Sequence, residues 1–182
     1  MEALGRLFDV GLGWAPVDLD TANGATGKRI SMSMHRSVAF LVTLGVGGTE
    51  DLVLDVQQHT AYTGGTSNDL DSAAVADATG VDHWYIKSEA LLDNDEGWTK
   101  VTQAAASEVT LTGATYGDKQ NIVIIEVDAR QMSAGYTHLS LNASKTTSTA
   151  CLSSCVMLPH ELRWQRKPSG LWNLLRPGVA NA

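Results

Sequence analysis

The sequence predicts an all-β protein, an antiparallel β-sandwich or jelly-roll-like domain with an extended C-terminal arm. Three observations carry that expectation. About eight short runs of apolar or alternating residues recur along the chain, with turn signals between them. Helical patterning is confined to two short stretches. Three of the four prolines, Pro159, Pro168 and Pro177, fall in the last segment, where their spacing breaks both helix and central strand.

In chain order, residues 1–27 read as an extended N-terminal segment, 28–158 as the sandwich domain and 159–182 as a docking arm. VAFLVTL at 38–44 is a β-branched apolar run suited to a buried strand. GVGGTED at 45–51 is a turn, its glycines and acids punctuating the pattern. LVLDVQQ at 52–58 alternates, with Leu52, Leu54 and Val56 on one face and Val53, Asp55 and Gln57 on the other. HWYIKS at 83–88, GWTKVTQ at 97–103 and EVTLT at 108–112 are further strands. NIVIIEV at 121–127 is the strongest apolar strand, THLSLNA at 137–143 alternates again, and CLSSCVML at 151–158 is the last before the prolines. Residues 72–80 (SAAVADATG) suit a short helical turn. So do residues 128–135 (DARQMSAG), with Asp128 as N-cap and Gly135 as the stop.

Composition excludes several classes. The 182 residues are 43% hydrophobic and 18% charged, a globular balance. No apolar run approaches the ~18–20 residues of a membrane span. The N-terminus has an acid at Glu2 and an interrupted apolar stretch, unlike a signal peptide. The net charge of −7 argues against a nucleic-acid binder. That charge is uneven. From His160 onward, Arg163, Arg166, Lys167 and Arg176 face Glu161 alone, so the tail is +3 and the body −10.

Candidate chemistry is sparse. Cys151 and Cys155 on one strand would lie ~13 Å apart, too far for a disulfide, and read as small buried residues. The five histidines (His35, His59, His83, His138 and His160) form no HExxH or i, i+4 pair, so no metal site is expected. ATGKR at 25–29 fails the phosphate-loop pattern because Ala22 and Arg29 occupy its defining positions. DNDEGW at 93–98 departs from a calcium loop and reads as a hairpin turn, with Asp93, Asp95 and Glu96 as its only ligand-type residues. Asn142-Ala143-Ser144 fits a glycosylation sequon but follows no secretory signal. Trp14, Trp84 and Trp98 are core or interface anchors, since an acidic body would repel phosphates before bases could stack. No cofactor and no catalytic residue is expected.

The arm carries the sharper expectation. Left bare in water, its large apolar groups would invite aggregation, and Trp with Arg is the composition of interface hot spots. The docking residues are Arg163, Trp164, Arg166, Lys167, Leu171, Trp172, Leu174, Leu175 and Arg176. Their positive charge suits an acidic surface, either a partner's or the chain's own body.

The succession LGRLFDVGLGWAPVDL, TGKRISM, LVLDVQQHT, WYIK, WTKVTQAAASEVTLTG, IVIIEVDARQM, GYTHLSLNAS and ELRWQRKP resembles small virion proteins of tailed double-stranded DNA bacteriophages, the capsid decoration or cement proteins. Residues 172–175 extend beyond that pattern. The resemblance implies a β-rich, non-enzymatic protein made in the host cytoplasm and carried on the capsid exterior. Its partners would be the major capsid protein and copies of itself, with a trimer favoured, and avidity would multiply modest contacts. It implies neither nucleic-acid nor membrane binding. Two other readings are a glycan- or host-surface-binding β-sandwich module and a head–tail or tail subunit. Copy number per particle separates them.

Overall fold

A computed structural model describes residues 9–71, 79–145 and 149–162 of the chain. Its strands are β1 (Gly11–Asp18), β2 (Ile30–Ser31), β3 (His35–Leu44), β4 (Leu52–His59), β5 (Ser67–Asp69), β6 (Val81–Glu89), β7 (Thr99–Ala106), β8 (Glu108–Leu111), β9 (Gln120–Asp128), β10 (His138–Lys145) and β11 (Leu152–Leu162). They form two antiparallel sheets. The larger runs β1-β11-β3-β9-β6-β7. The smaller runs β2-β10-β4, with the far edge of β4 shared between β8 and β5. The all-β, sandwich-like expectation is met.

Alternation explains the layering. Val38, Phe40, Val42 and Leu44 of β3 and Val123, Ile125 and Val127 of β9 point inward from the large sheet. Leu52, Leu54 and Val56 of β4, with Leu139, Leu141 and Ala143 of β10, meet them from the small one. Each fully buried aliphatic or aromatic side chain stabilises the fold by about 1.5–3 kcal/mol relative to exposure. Cys151 and Cys155 are unpaired and buried, as the sequence suggested. The chain changes sheet between β7 and β8 at Ser107, which is buried and accepts the Val56 N–H at 3.0 Å.

Several elements depart from the sequence reading. The N-terminal segment is not separate: β1 is the edge strand of the large sheet, in register with β11 from Gly11↔Met157 to Asp18↔Leu152. Pro16 is tolerated there because an edge strand needs hydrogen bonds on one side only. Register shifts at Trp14 and Val17 absorb the irregularity, and the Trp14 indole donates to Ser153 Oγ at 3.2 Å. The last strand also passes its expected end. β11 continues through Pro159, paired with Val38, to Leu162, paired with His35. Beyond Met157 no described strand flanks its other side, so the missing N–H of Pro159 is harmless there. The first residues assigned to the arm are therefore sheet.

The turn at 45–51 crosses between sheets. It rests on a short helix absent from the sequence reading, α1 (Gly113–Tyr116). The Gly47 and Gly48 N–H groups donate to Gly117 O at 2.8 and 3.0 Å. A Cβ on Gly117 would sit 1.6 Å from Gly48 O, so only glycine permits this contact. At 128–135 the expected turn is a single 3-10 turn, Ala129–Gln131. It is closed by a capping box between Asp128 and Gln131, and Gly135 follows at φ 87°. The turn expected at 72–80 falls mostly outside the described residues.

Candidate docking surface

The two outer faces of the sandwich differ in chemistry. On the small sheet, Asp55 lies opposite both Asn142 and Glu108, and Gln57 lies opposite Ser140 and Asp69. That face is polar and acidic. On the large sheet, the residues between the inward-pointing ones include an apolar row. Leu12 pairs with Val156, Val156 with Leu41, Leu41 with Ile124, and Ile124 with Tyr85. These five side chains make one row across β1, β11, β3, β9 and β6, and all are part-exposed or exposed. No described strand or helix packs across them.

Polar groups frame the row. Glu126, opposite Ala39, lies on one side. On the other lie Thr43 and Ser154, their hydroxyls 2.7 Å apart, and Lys87, opposite Ile122. Toward that end of the strands, Pro16, Leu92, Ile122 and the 67% exposed Leu152 line an open groove of about 420 Å³. An apolar centre with a polar rim matches the anatomy of a protein interface.

The arm residues Arg163, Trp164, Arg166, Lys167, Leu171, Trp172, Leu174, Leu175 and Arg176 lie outside the described residues. What is described is the strand from which the arm continues: β11 contributes Val156 and Leu158 to the outer face and ends at Leu162. The row itself escaped the sequence reading, although its signal was present. Residues 122–125 of NIVIIEV and 38–42 of VAFLVTL are apolar at every position, whereas LVLDVQQ alternates. An unbroken run means that both faces of the strand are apolar.

Other chemical groups resolve into structure. His59 and His138, distant in sequence, are cross-strand neighbours. His59 Nδ1 lies 2.7 Å from Ser67 Oγ and Nε2 2.8 Å from Ser140 Oγ. Burial and the nearby Arg29 guanidinium push the His59 imidazole down to about 4, and His138 is lowered for the same reasons. Arg29 itself ties down the loop above them, donating to Ala61 O and Gly64 O at 2.7 Å each. This is a neutral pair of imidazoles held by hydroxyl partners, with Thr137 Oγ1 2.8 Å from His138 Nδ1.

Asp55 is half-buried, and desolvation, then Asp69 and Glu108, raise its carboxyl to about 6. Asp55 and Glu108 are cross-strand neighbours on β4 and β8. Asp93, Asp95 and Glu96 come close enough to hold a cation. Two of these carboxylates also serve the turn: Glu96 accepts the Asp93 N–H at 2.7 Å and the Asn94 N–H at 3.2 Å, and Asp93 accepts that of Asp95 at 3.4 Å. Among the described residues no helix is long and apolar enough to cross a membrane. No family model, no curated protein and no solved structure matches the chain.

Proposed function

We propose that this chain is a structural virion protein that binds the outer surface of a phage capsid and stabilises contacts between capsomers. One observation carries the reading. The large sheet carries an apolar row across its outer face, and the strand supplying part of that row leads directly into a basic, Trp-bearing segment. The small sheet turns an acidic, polar face the other way. A body of this kind has one side to be covered by protein and one side to face water. The major capsid protein is the proposed partner, with self-association as a trimer supplying avidity, and the role is attachment without catalysis.

The test is co-sedimentation of the purified chain with capsids of its phage stripped of it. Deleting residues 163–182 should leave a folded β domain that no longer binds. Trp164→Ala or Trp172→Ala should each weaken attachment by about 2 kcal/mol or more. Full occupancy by the truncated chain would refute the reading. Imaging of particles gives the copy number, and hundreds of copies are expected.

A glycan-binding module is the second reading. It is supported by the 47% exposed Trp98, with Lys87 Nζ 5.4 Å from its ring, beside an open groove of about 430 Å³ that includes Glu89 and Glu96. Quenching of Trp98 fluorescence by oligosaccharides, together with only a handful of copies per particle, would favour it.

A further inference from the structure

Between the two sheets, near the end of β10, lies a cavity of about 20 Å³ whose lining includes Glu50, Lys145 and Asn121. The Lys145 side chain is 1% exposed. Its ammonium donates to Thr149 O at 2.6 Å and stands 3.7 Å from Glu50 Oε2. Asn121 is 4% exposed. Its Nδ2 donates to Tyr116 O at 3.0 Å and Lys119 O at 2.9 Å, which fixes the plane of the carboxamide. Two of the residues that line it carry a buried oxygen with no hydrogen-bond partner, Glu50 Oε2 and Asn121 Oδ1.

A buried amine, a carboxyl and a carboxamide, walled in by Leu44, Leu52 and Tyr116, are the ingredients of an amide-forming reaction. The Glu50 side chain, 25% exposed, pairs with the Lys145 ammonium and is the group placed to take its proton. That proton would make Glu50 Oε2 a donor, and Asn121 Oδ1 is the unpartnered acceptor among the residues that line the same cavity. A hydrogen bond between them would draw electron density from Asn121 Cγ, the atom the amine would attack.

We propose that Lys145 and Asn121 become joined by an intramolecular amide bond, with Glu50 as the proton carrier. The Lys145 Nζ lone pair forms a bond to Asn121 Cγ, and the Cγ–Nδ2 bond breaks. Glu50 passes the proton lost by Nζ to Nδ2, which leaves as ammonia. Nothing is oxidised or reduced, and no co-reactant is needed.

The framework holds the groups in place, which removes the entropic cost of bringing them together. Asn121 is the second residue of β9 and Lys145 closes β10, strands of opposite sheets. Glu50 sits in the turn that the Gly117 carbonyl secures, and the next residue, Asp51, accepts the Gly113 N–H at 2.8 Å. The product would tie the two layers of the sandwich by a covalent strut. The inference is independent of the capsid reading.

The test is the intact mass of the purified full chain, measured under denaturing conditions. The expected mass is lower than the sequence mass by one ammonia, about 17 Da, and fragmentation should yield a branched peptide joining Asn121 to Lys145. Glu50→Gln should keep the full sequence mass. Asn121→Asp should lose one water instead of one ammonia. A wild-type chain at its sequence mass overturns the proposal. So does an ammonia loss that maps to a backbone imide at another asparagine. The wild-type peptide map decides the matter even if a variant fails to fold.

Discussion

Replacing Asp55 with Asn should stabilise the protein at neutral pH while leaving stability near pH 4 almost unchanged. Asp55 faces Glu108 directly across the strand pair, with Asp69 diagonal to it, and its buried Oδ1 has no hydrogen-bond partner. Desolvation, the largest cause, and these two carboxylates raise its pKa from 3.8 to about 6. The folded protein thus holds this proton more tightly than the unfolded chain does. The benefit is complete below the unfolded value and is lost as pH rises through the folded one. Without screening, the shift would correspond to about 3 kcal/mol. Asp55 is only half-buried, and solvent screening reduces this to about 1 kcal/mol. Urea unfolding of wild type and Asp55→Asn across about pH 4 to 8 measures it. The stability difference should open between about pH 4 and 6 and then level off. A difference independent of pH, or one that favours wild type as pH rises, would refute the argument.

Two further expectations concern the packing. The Cys155 thiol is pushed up to about 12 by burial, and burial also raises Cys151. Because the thiolate is the reactive form, iodoacetamide at about pH 8 should label neither cysteine in the native protein and both in urea. Native labelling of Cys155 at the unfolded rate would contradict its placement. Gly117→Ala would drive a methyl group into the Gly48 carbonyl. It should cost about 2 kcal/mol or more, read as a lower unfolding midpoint, and an unchanged midpoint would show that the 45–51 turn does not rest on α1.

The strands that form the core were legible because their chemistry is local. Leu52, Leu54 and Val56 against Val53, Asp55 and Gln57 state a period of two, and β4 obeys it. Asp128 and Gly135 likewise announced the capped turn that follows β9. β1 was hidden because its Gly11, Gly13 and Pro16 resemble a broken segment, yet an edge strand tolerates all three. β2 and β5, at two and three residues, are too short to carry a pattern. The apolar row depends on register: Leu12, Val156, Leu41, Ile124 and Tyr85 span nearly the whole chain and meet only after pairing. The same is true of Glu50, Asn121 and Lys145, which belong to three separate segments.

The pairing of β1 with β11 has a mechanical consequence. Gly11 lies beside Met157, so the chain enters the large sheet next to where β11 leaves it. Tension drawing residues 11 and 162 apart would peel β1 away like a zip, loading one rung at a time. Tension entering through β11 alone and resisted by the body would act along the strand axis. It would try to slide β11 past β3, from Ser153↔Leu44 to Leu162↔His35, with every rung loaded together. A tether attached after Leu162 therefore pulls on the tougher of the two directions, and a molecule anchored by that end alone is built to be hauled.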